Sequence, residues 1–257
     1  DSNKTLPKVD SLIITLSEFL NNYKLYYKDS VTPRLDCTKI NFSDLCNFSK
    51  SNKTKESLWV WEVLIGQLLP DDLPDEVLNY LIENKICLNG LCHMKLADKW
   101  LLKIFDVDNS CDEALLTVGQ RYFDSRTEEE FVTFIDAYRN KTLYCYLLKK
   151  ILMVKTYTKN ILNKSELLID AACKVFVTDY SVIELAKQLK SYIKLLFTTN
   201  EADFVQAYND KAPLDLLAIS LNPKCPKNIL SKLSETFGIK YAKIIRENSI
   251  KRLTQKI

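Results

Sequence analysis

Three cysteines and the single histidine are the residues of this chain that come nearest to a reactive cluster. Cys87, Cys92, His93 and Cys111 carry the side chains that bind Zn²⁺. Structural zinc sites use two pairs of ligands, each closely spaced, and this spacing does not supply two such pairs. Cys92 and His93 are adjacent, so on a helix their side chains diverge by about 100° and form a poor nucleophile–base pair. We expect no metal site and no catalytic residue here.

Three aspartates, Asp106, Asp108 and Asp112, resemble the acidic residues of a calcium-binding loop that begins at Asp106. The pattern fails at the positions that matter most. Position 6 is Cys111, where the loop needs glycine for a sharp turn, and position 12 is Thr117, where it needs a bidentate glutamate. We expect these carboxylates to place negative charge at the start of the next helix, where the helix dipole favours it.

Glycine is scarce, and most nucleotide-binding and hydrolase motifs depend on it. The chain has four glycines and contains no Gly-x-Gly-x-x-Gly, no Gly-Lys-Ser/Thr and no Gly-x-Ser-x-Gly. Neighbouring acidic residues such as Asp71 and Asp72 stand at expected helix starts, where capping accounts for them. The sequence therefore predicts a protein that is not an enzyme and has no cofactor.

Basic residues of the second half form the strongest candidate surface. The stretch from Arg139 to Lys164 has seven cations and no acid, with Tyr144, Tyr146 and Tyr157 between them. Such cations neutralise phosphates or acidic side chains, and exposed tyrosines stack on bases. The alternative is a solvated helix face with the tyrosines in the core. The candidate residues are Arg139, Lys141, Lys149, Lys150, Lys155, Lys159, Lys240, Lys243, Arg246, Lys251 and Arg252.

Charge is distributed unevenly along the chain. Residues 1–128 have 15 basic and 20 acidic side chains, a net charge of −5, whereas residues 129–257 have 21 and 13, a net charge of +8. The split predicts a basic face for an anionic partner, or self-complementary electrostatics. We predict one elongated helical domain, 1–257, with a subdivision near 124–127 into an acidic half, 1–126, and a basic half, 127–257.

Helical periodicity recurs through the chain. Apolar residues predict a first helix from Val9 to Lys28 and a buried one from Lys55 to Leu69. Between them, residues 29–56 are polar and predict a long loop with one short helix near residues 42–48. Helix starts are indicated by Pro74 and by two capping-box pairs, Thr127 with Glu130 and Ser181 with Glu184.

One segment recurs with the same pattern. The ten residues from Pro74 to Glu83 match those from Pro226 to Glu235 at their Pro, β-branched, Leu, Leu and Glu positions. The stretch from Ala218 to Leu233, with Asn-Pro ending one helix and Pro opening the next, resembles the unit of leucine-rich-variant and HEAT-like helical arrays. Scarce glycine, short connections and the absence of alternating strands and helices predict an all-α fold, and the resemblance implies that antiparallel helix pairs stack in it as an α-solenoid-like, HEAT-like array.

Cysteines and glycosylation sequons give opposite indications of whether the protein is intracellular or secreted. The eight cysteines include members of apolar periodic stretches, as expected for buried free thiols in a reduced, intracellular protein. Six Asn-x-Ser/Thr sequons, at Asn3, Asn41, Asn47, Asn52, Asn140 and Asn163, favour the alternative of a secreted or surface helical domain. No stretch has the uncharged length of a membrane span.

These observations together predict a protein-interaction subunit. We expect a scaffold within a larger intracellular complex, nuclear or cytoplasmic, that binds one or more protein partners. The alternative is a nucleic-acid-associated factor that binds through the basic C-terminal half.

Overall fold

The computed structural model describes residues 13–51 and 54–255, with the backbone alone at residue 51. This part of the chain is all-α, as predicted, with fifteen α-helices, 71% helix and a two-stranded sheet. The helices are α1 (Leu16–Lys28), α2 (Phe42–Ser51), α3 (Lys55–Ile65), α4 (Asp75–Glu83), α5 (Leu88–His93), α6 (Asp98–Val107), α7 (Asp112–Ser125), α8 (Glu128–Ala137), α9 (Lys141–Ile151), α10 (Lys159–Val175), α11 (Tyr180–Phe197), α12 (Glu201–Asp210), α13 (Pro213–Leu221), α14 (Lys227–Leu233) and α15 (Ala242–Thr254).

The first helix starts later than the periodicity predicted. Residues 13–15 form strand β1 (Ile13–Thr15), which pairs in parallel with β2 (Arg34–Asp36). Helix α1 begins at Leu16 because the Thr15 hydroxyl accepts a hydrogen bond from the Glu18 N–H at 3.1 Å, which caps the helix there. The predicted residues 9–12 of that helix lie outside the described part of the chain.

The segment 29–56, predicted as a long loop, contains β2 and the ten-residue helix α2. The short helix predicted near residues 42–48 is present and extends to Ser51. The extended residues before it are held by one side chain, since Gln67 accepts a hydrogen bond from the Leu35 N–H at 2.8 Å and donates one to the Pro33 carbonyl at 3.0 Å. The polarity of residues 29–56 could not predict this, because the glutamine that pairs with their backbone lies outside the segment.

The chain divides into two compact units, unit 1 (Asp1–Val118) and unit 2 (Gly119–Ile257). In unit 1 helix α3 is buried on most sides, as predicted, and its Trp61 packs against the rings of Phe48 and Tyr80. The charge asymmetry follows the same division. Unit 1 has 13 basic and 18 acidic residues, a net charge of −5, and unit 2 has 23 and 15, a net charge of +8.

In unit 2 contacts join helices that are near neighbours in the sequence. Helix α9 contacts α10 and α11, α11 contacts α10 and α13, and α15 contacts α13 and α14. Helix α8 also contacts α10, and α12 contacts both α13 and α14. Each of these helices therefore buries its apolar face against the next helix or the next but one.

Tyrosine hydroxyls satisfy the carbonyl groups at the ends of two helices in unit 2. The Tyr144 hydroxyl donates to the Ile135 carbonyl of α8 at 3.0 Å, and the Tyr157 hydroxyl donates to the Ile151 carbonyl of α9 at 2.5 Å. The last carbonyls of a helix lack partners within it and need hydrogen-bond donors of this kind when they are buried. Burial raises the pKa of Tyr144 to about 12, so its hydroxyl remains a donor at neutral pH.

Lys164 has the same role for helix α7. Its ammonium group is fully buried and donates to the carbonyls of Tyr122 at 3.1 Å and Arg126 at 2.7 Å. The rings of Phe123 and Phe131 lie 6.0 and 5.9 Å from the nitrogen. Desolvation lowers the pKa of this lysine. Lys164 is therefore a positive charge at a helix C-terminus, where the dipole favours it, and is not part of a basic surface.

Asn222 links the ends of two helices. Its side-chain nitrogen donates to the carbonyls of Leu195 at 2.7 Å and Thr198 at 2.8 Å, both at the end of α11, and its side-chain oxygen accepts from the Lys224 N–H at 2.8 Å. Its own carbonyl, just after α13, accepts a hydrogen bond from the Arg252 guanidinium of α15. The residue is 1% exposed, so these groups have no water to replace a lost partner.

We predict that Asn222→Ala destabilises the protein by about 2–4 kcal/mol, because it leaves the buried Leu195 carbonyl unsatisfied and removes the partner of the half-buried Thr198 carbonyl and of the Lys224 N–H. The free energy of unfolding in urea measures the effect. Asn228→Ala, at an exposed position of α14, is the matched control and should change it by less than about 0.5 kcal/mol. A loss below about 1 kcal/mol for Asn222→Ala would show that the link is dispensable.

Several turns place ordinary residues in the left-handed region that glycine usually occupies. Ser30, Lys85 and Lys211 follow α1, α4 and α12 with φ of 54°, 55° and 55°. An L-residue in this conformation is strained by about 1–2 kcal/mol, which glycine avoids. The scarcity of glycine therefore leaves backbone strain at helix ends.

We predict that Lys211→Gly stabilises the protein by about 0.5–1 kcal/mol, since relief of strain exceeds the added chain entropy of the unfolded state. Chemical denaturation of the variant measures the gain. Gln206→Gly, in the interior of the same helix, should instead destabilise by about 1 kcal/mol. Equal losses for both variants would contradict the assignment of strain to Lys211.

Candidate interaction surface

The candidate zinc ligands lie in unit 1 but do not form a metal centre. Cys87, His93 and Cys111 line an open cavity of about 990 Å³. His93 Nδ1 lies 3.2 Å from a carboxylate oxygen of Glu113, and burial raises the pKa of Cys87 and of Cys92 to about 11. These two thiols are therefore protonated at neutral pH, whereas the thiolate is the nucleophile and metal ligand. Among the described residues no group of three metal-ligating side chains converges on one point.

The three aspartates of the calcium-like pattern have separate roles. Asp112 lies in the first turn of α7, as predicted. Asp108 instead ends α6 and accepts hydrogen bonds from the Ser110 N–H at 3.1 Å and hydroxyl at 2.6 Å, which lower its pKa. Asp106 is an exposed residue of α6. Local turn chemistry and helix capping account for Asp108 and Asp112.

Two arginines of the predicted basic surface are used inside unit 2. Arg246 donates to the Thr236 carbonyl at 2.7 Å and lies over the Phe237 ring, with its guanidinium carbon 4.3 Å from the ring centre. Arg252 donates to Asn222, and desolvation lowers its pKa. Both side chains hold the polypeptide around α13 and α14 together and are poorly placed to contact a partner.

Three further predicted cations form ion pairs with carboxylates. Arg139 pairs with Asp136 at 2.8 Å, and Lys243 lies 3.9 Å from Glu247. Lys141 Nζ is 2.6 Å from the Asp179 carboxylate. The Arg139–Asp136 pair at the end of α8 and the Lys243–Glu247 pair within α15 are solvent-exposed. Such pairs contribute little to stability, and their charges cancel at the surface.

The remaining predicted cations are exposed or half-buried, and four of them are close together in the sequence. We define the α9–α10 cation cluster as Lys149, Lys150, Lys155 and Lys159, at the end of α9, in the turn and at the start of α10. Within the described residues none of the four has a carboxylate within ion-pair distance. Met153 in the same turn is 69% exposed. Lys240 and Lys251, near and on α15, form no ion pair with a described residue either.

The three tyrosines between the cations, considered either for base stacking or for the core, form contacts inside the protein. Tyr144 is fully buried, as the core alternative predicted. Tyr146 donates to Gln120 at 2.6 Å, with Lys150 Nζ 5.5 Å from its ring. Tyr157 packs edge-on against Phe197, with ring centres 5.7 Å apart. None of these three tyrosines therefore has a free hydroxyl and an exposed ring for base stacking, and the exposed aromatic ring beside the cluster is that of Phe197.

A groove between α10 and α11 was not predicted from the sequence. Its apolar residues are Leu162, Ile169, Ile193 and Phe197, and its volume is about 740 Å³. Phe197 is 52% exposed although it is the last residue of α11. Ile169 and Ile193 form the buried floor of the groove, at 2% and 5% exposed, so Phe197 is its most exposed apolar side chain.

Comparison of the chain with protein-family models, with curated proteins and with solved structures gives no match in any of the three. Function is therefore argued from the geometry of the chain alone. Across the described residues, every helix is too short or too polar to cross a lipid bilayer.

The Lys141–Asp179 pair generates a pH prediction. Asp179 caps α11, and hydrogen bonds from Lys141, Ser181 and the Val182 N–H lower its pKa to about 2. Since the ordinary value is 3.8, the carboxylate stabilises the fold above about pH 4, and this contribution disappears as the pH falls towards 2.

We expect the melting temperature of Asp179→Asn to lie below that of the wild type at pH 6 and to converge with it towards about pH 2. Differential scanning calorimetry across this range measures the convergence. Lys141→Gln should remove part of the same pH dependence, because Lys141 is the largest cause of the shift. A difference between wild type and Asp179→Asn that stays constant from pH 2 to 6 would contradict the lowered pKa.

Proposed function

We propose that this chain is a non-enzymatic subunit of a larger intracellular assembly and binds an acidic partner protein through unit 2. The observation that carries the proposal is the α9–α10 cation cluster. Four lysines within eleven residues surround an exposed methionine and have no carboxylate partner among the described residues. Like charges at this density repel one another, and an acidic protein surface relieves that repulsion.

A protein partner is favoured over nucleic acid by the same geometry. Cations alone bind phosphates, but base stacking adds about 1–3 kcal/mol per base and needs exposed rings. Each of the three tyrosine hydroxyls in this region instead donates a hydrogen bond within the protein, from Tyr144, Tyr146 and Tyr157. An exposed methionine beside cations suits a protein surface, because methionine adapts its shape to apolar side chains of a partner.

A helical-repeat architecture, HEAT-like or leucine-rich-variant-like, is part of the proposal. It is supported by the contacts between each helix of unit 2 and its next or next-but-one neighbour. The two copies of the recurring segment are also alike in structure, since Pro74 and Pro226 both cap a helix. Corresponding positions are buried in the two helices, Val77, Leu78 and Leu81 in α4 and Ile229, Leu230 and Leu233 in α14.

An intracellular location is supported by the cysteines, all eight of which are free thiols. The sequon at Asn163 has a structural role, because its side-chain nitrogen donates to Glu128 at 2.8 Å and its Ser165 is fully buried. Asn140 caps α9 through its side chain. Asn41 and Asn47 are exposed, while Asn3 and Asn52 lie outside the described residues. Among the described sequons, only those at Asn41 and Asn47 therefore support the alternative of a secreted protein.

The test reverses charge at two places with the same total change. Affinity purification from cells of the source organism, with mass spectrometry, compares the wild type, Lys149→Glu with Lys150→Glu, and Lys240→Glu with Lys251→Glu. We expect a specific acidic protein to be depleted at least about tenfold by the first variant only. With that protein purified, association should slow as salt increases, because salt screens exposed charges.

Two results would contradict the proposal. One is an unchanged set of captured proteins for both variants. The other is micromolar or tighter binding of nucleic acid near physiological salt that is abolished by Lys149→Glu with Lys150→Glu, which would favour the nucleic-acid alternative.

A further inference from the structure

The α10–α11 groove has the length and periodicity of a helix-binding site. Leu162, Glu166, Ile169 and Asp170 line it from α10 at spacings of four, seven and eight residues, which is one face of that helix. Its α11 wall runs from Lys187 to Phe197. At 1.5 Å per residue these walls extend about 12 and 15 Å, so the groove accommodates two to three turns of a bound helix.

The two walls of the groove differ in charge. Three lysines of α11, Lys187, Lys190 and Lys194, follow one another about one turn apart along one wall. Lys190 pairs with Asp170 at 3.5 Å across the groove, and Lys194 pairs with Asp203 at 3.2 Å. The Lys190–Asp170 pair is solvent-exposed on both sides and therefore weak enough to be exchanged for contacts with a ligand, whereas Asp203 is half-buried and also accepts a hydrogen bond from the Thr198 hydroxyl. In the described part of the chain Lys187 has no carboxylate within 4 Å.

The groove adjoins the α9–α10 cation cluster. Tyr157, in the turn between α9 and α10, packs against Phe197 at the end of the groove. Lys159 precedes the groove residue Leu162 by three positions, which places it on the same side of α10. The lysine wall and the cluster therefore meet at this end. Farther along, the α10 wall has the carboxylates of Glu166 and Asp170, so the cations of the groove lie on its α11 side and at the cluster end.

We infer that the α10–α11 groove binds an acidic amphipathic helix of the partner protein. Apolar residues of that helix at i, i+3 or i+4, and i+7 contact the floor, as in other helix-in-groove complexes. Its carboxylates face Lys187 and Lys190 on α11 and Lys159 at the cluster. This inference rests on the proposed function and names the form in which the acidic partner is recognised.

The experiment uses a display library of 18-residue helical peptides with leucines fixed at this spacing and all flanking positions randomised. The full chain is the bait. We expect enriched peptides to carry acidic residues on the flank that faces the lysine wall. Synthetic copies labelled with a fluorophore should bind with micromolar Kd by anisotropy, and scrambled copies of the same composition should not bind.

Variants then locate the bound peptide. Lys187→Glu, at an exposed position, should weaken binding at least about threefold at low salt and less at high salt, since it reverses one exposed charge. Phe197→Ser should weaken it at least about tenfold by removing an apolar contact. Circular dichroism checks that both variants remain folded. Lys174→Glu, exposed on α10 outside the groove, is the matched control and should leave Kd within about twofold.

Three outcomes would overturn the inference: no enriched sequence, enrichment of basic or uncharged flanks, or enriched peptides whose binding is unaffected by Lys187→Glu and Phe197→Ser. In each case the cluster can still bind a partner, because the capture experiment with Lys149→Glu and Lys150→Glu is independent of the groove. Peptide binding with unchanged protein capture would instead confirm the groove and contradict the role of the cluster.

Discussion

The fold of unit 2 depends on how the last carbonyls of its helices are satisfied. Helices commonly end on a glycine that turns the chain back and pairs these groups locally, but this sequence has only four glycines. Polar side chains from later in the chain take that role. Tyr144 and Tyr157 satisfy carbonyls of α8 and α9, Lys164 those at the end of α7, and Asn222 those of α11. Each of these hydrogen bonds couples one helix to residues that follow it.

The same constraint explains what could be predicted from the sequence. The all-α class, the burial of helix α3 and the capping box at Thr127 depend on local periodicity and spacing, and these are confirmed, although α3 ends at Ile65 and not at the predicted Leu69. The start of α11 was predicted two residues late, because Asp179 rather than Ser181 caps it. The parallel pair of β1 and β2 was missed because pairing across a helix leaves no local pattern, and Gln67 supports it from outside the segment.

The basic surface could be predicted only in part, because a cation's role depends on what its side chain contacts. Composition cannot distinguish a lysine that meets solvent from one that caps a helix, and the cations of the second half include both kinds. Lys164 and Arg252 lie among carbonyls, and Lys141 is held by Asp179. The charge asymmetry counted in the sequence coincides with the division into two units. Which cations remain available, and the groove beside them, depend on helix packing.

The surplus cations are informative because the fold does not use them. A net charge of +8 in unit 2 opposes compaction by self-repulsion, and the lysines that cap helices or form ion pairs offset part of that repulsion with specific contacts. Lys149, Lys155 and Lys159 have no such contact with a described residue, and they lie beside an exposed methionine and an open apolar groove. A stability requirement alone would not place unpaired like charges next to exposed apolar surface. The acidic, amphipathic partner that we propose would satisfy both, since its carboxylates would neutralise the lysines while its apolar face would cover the groove.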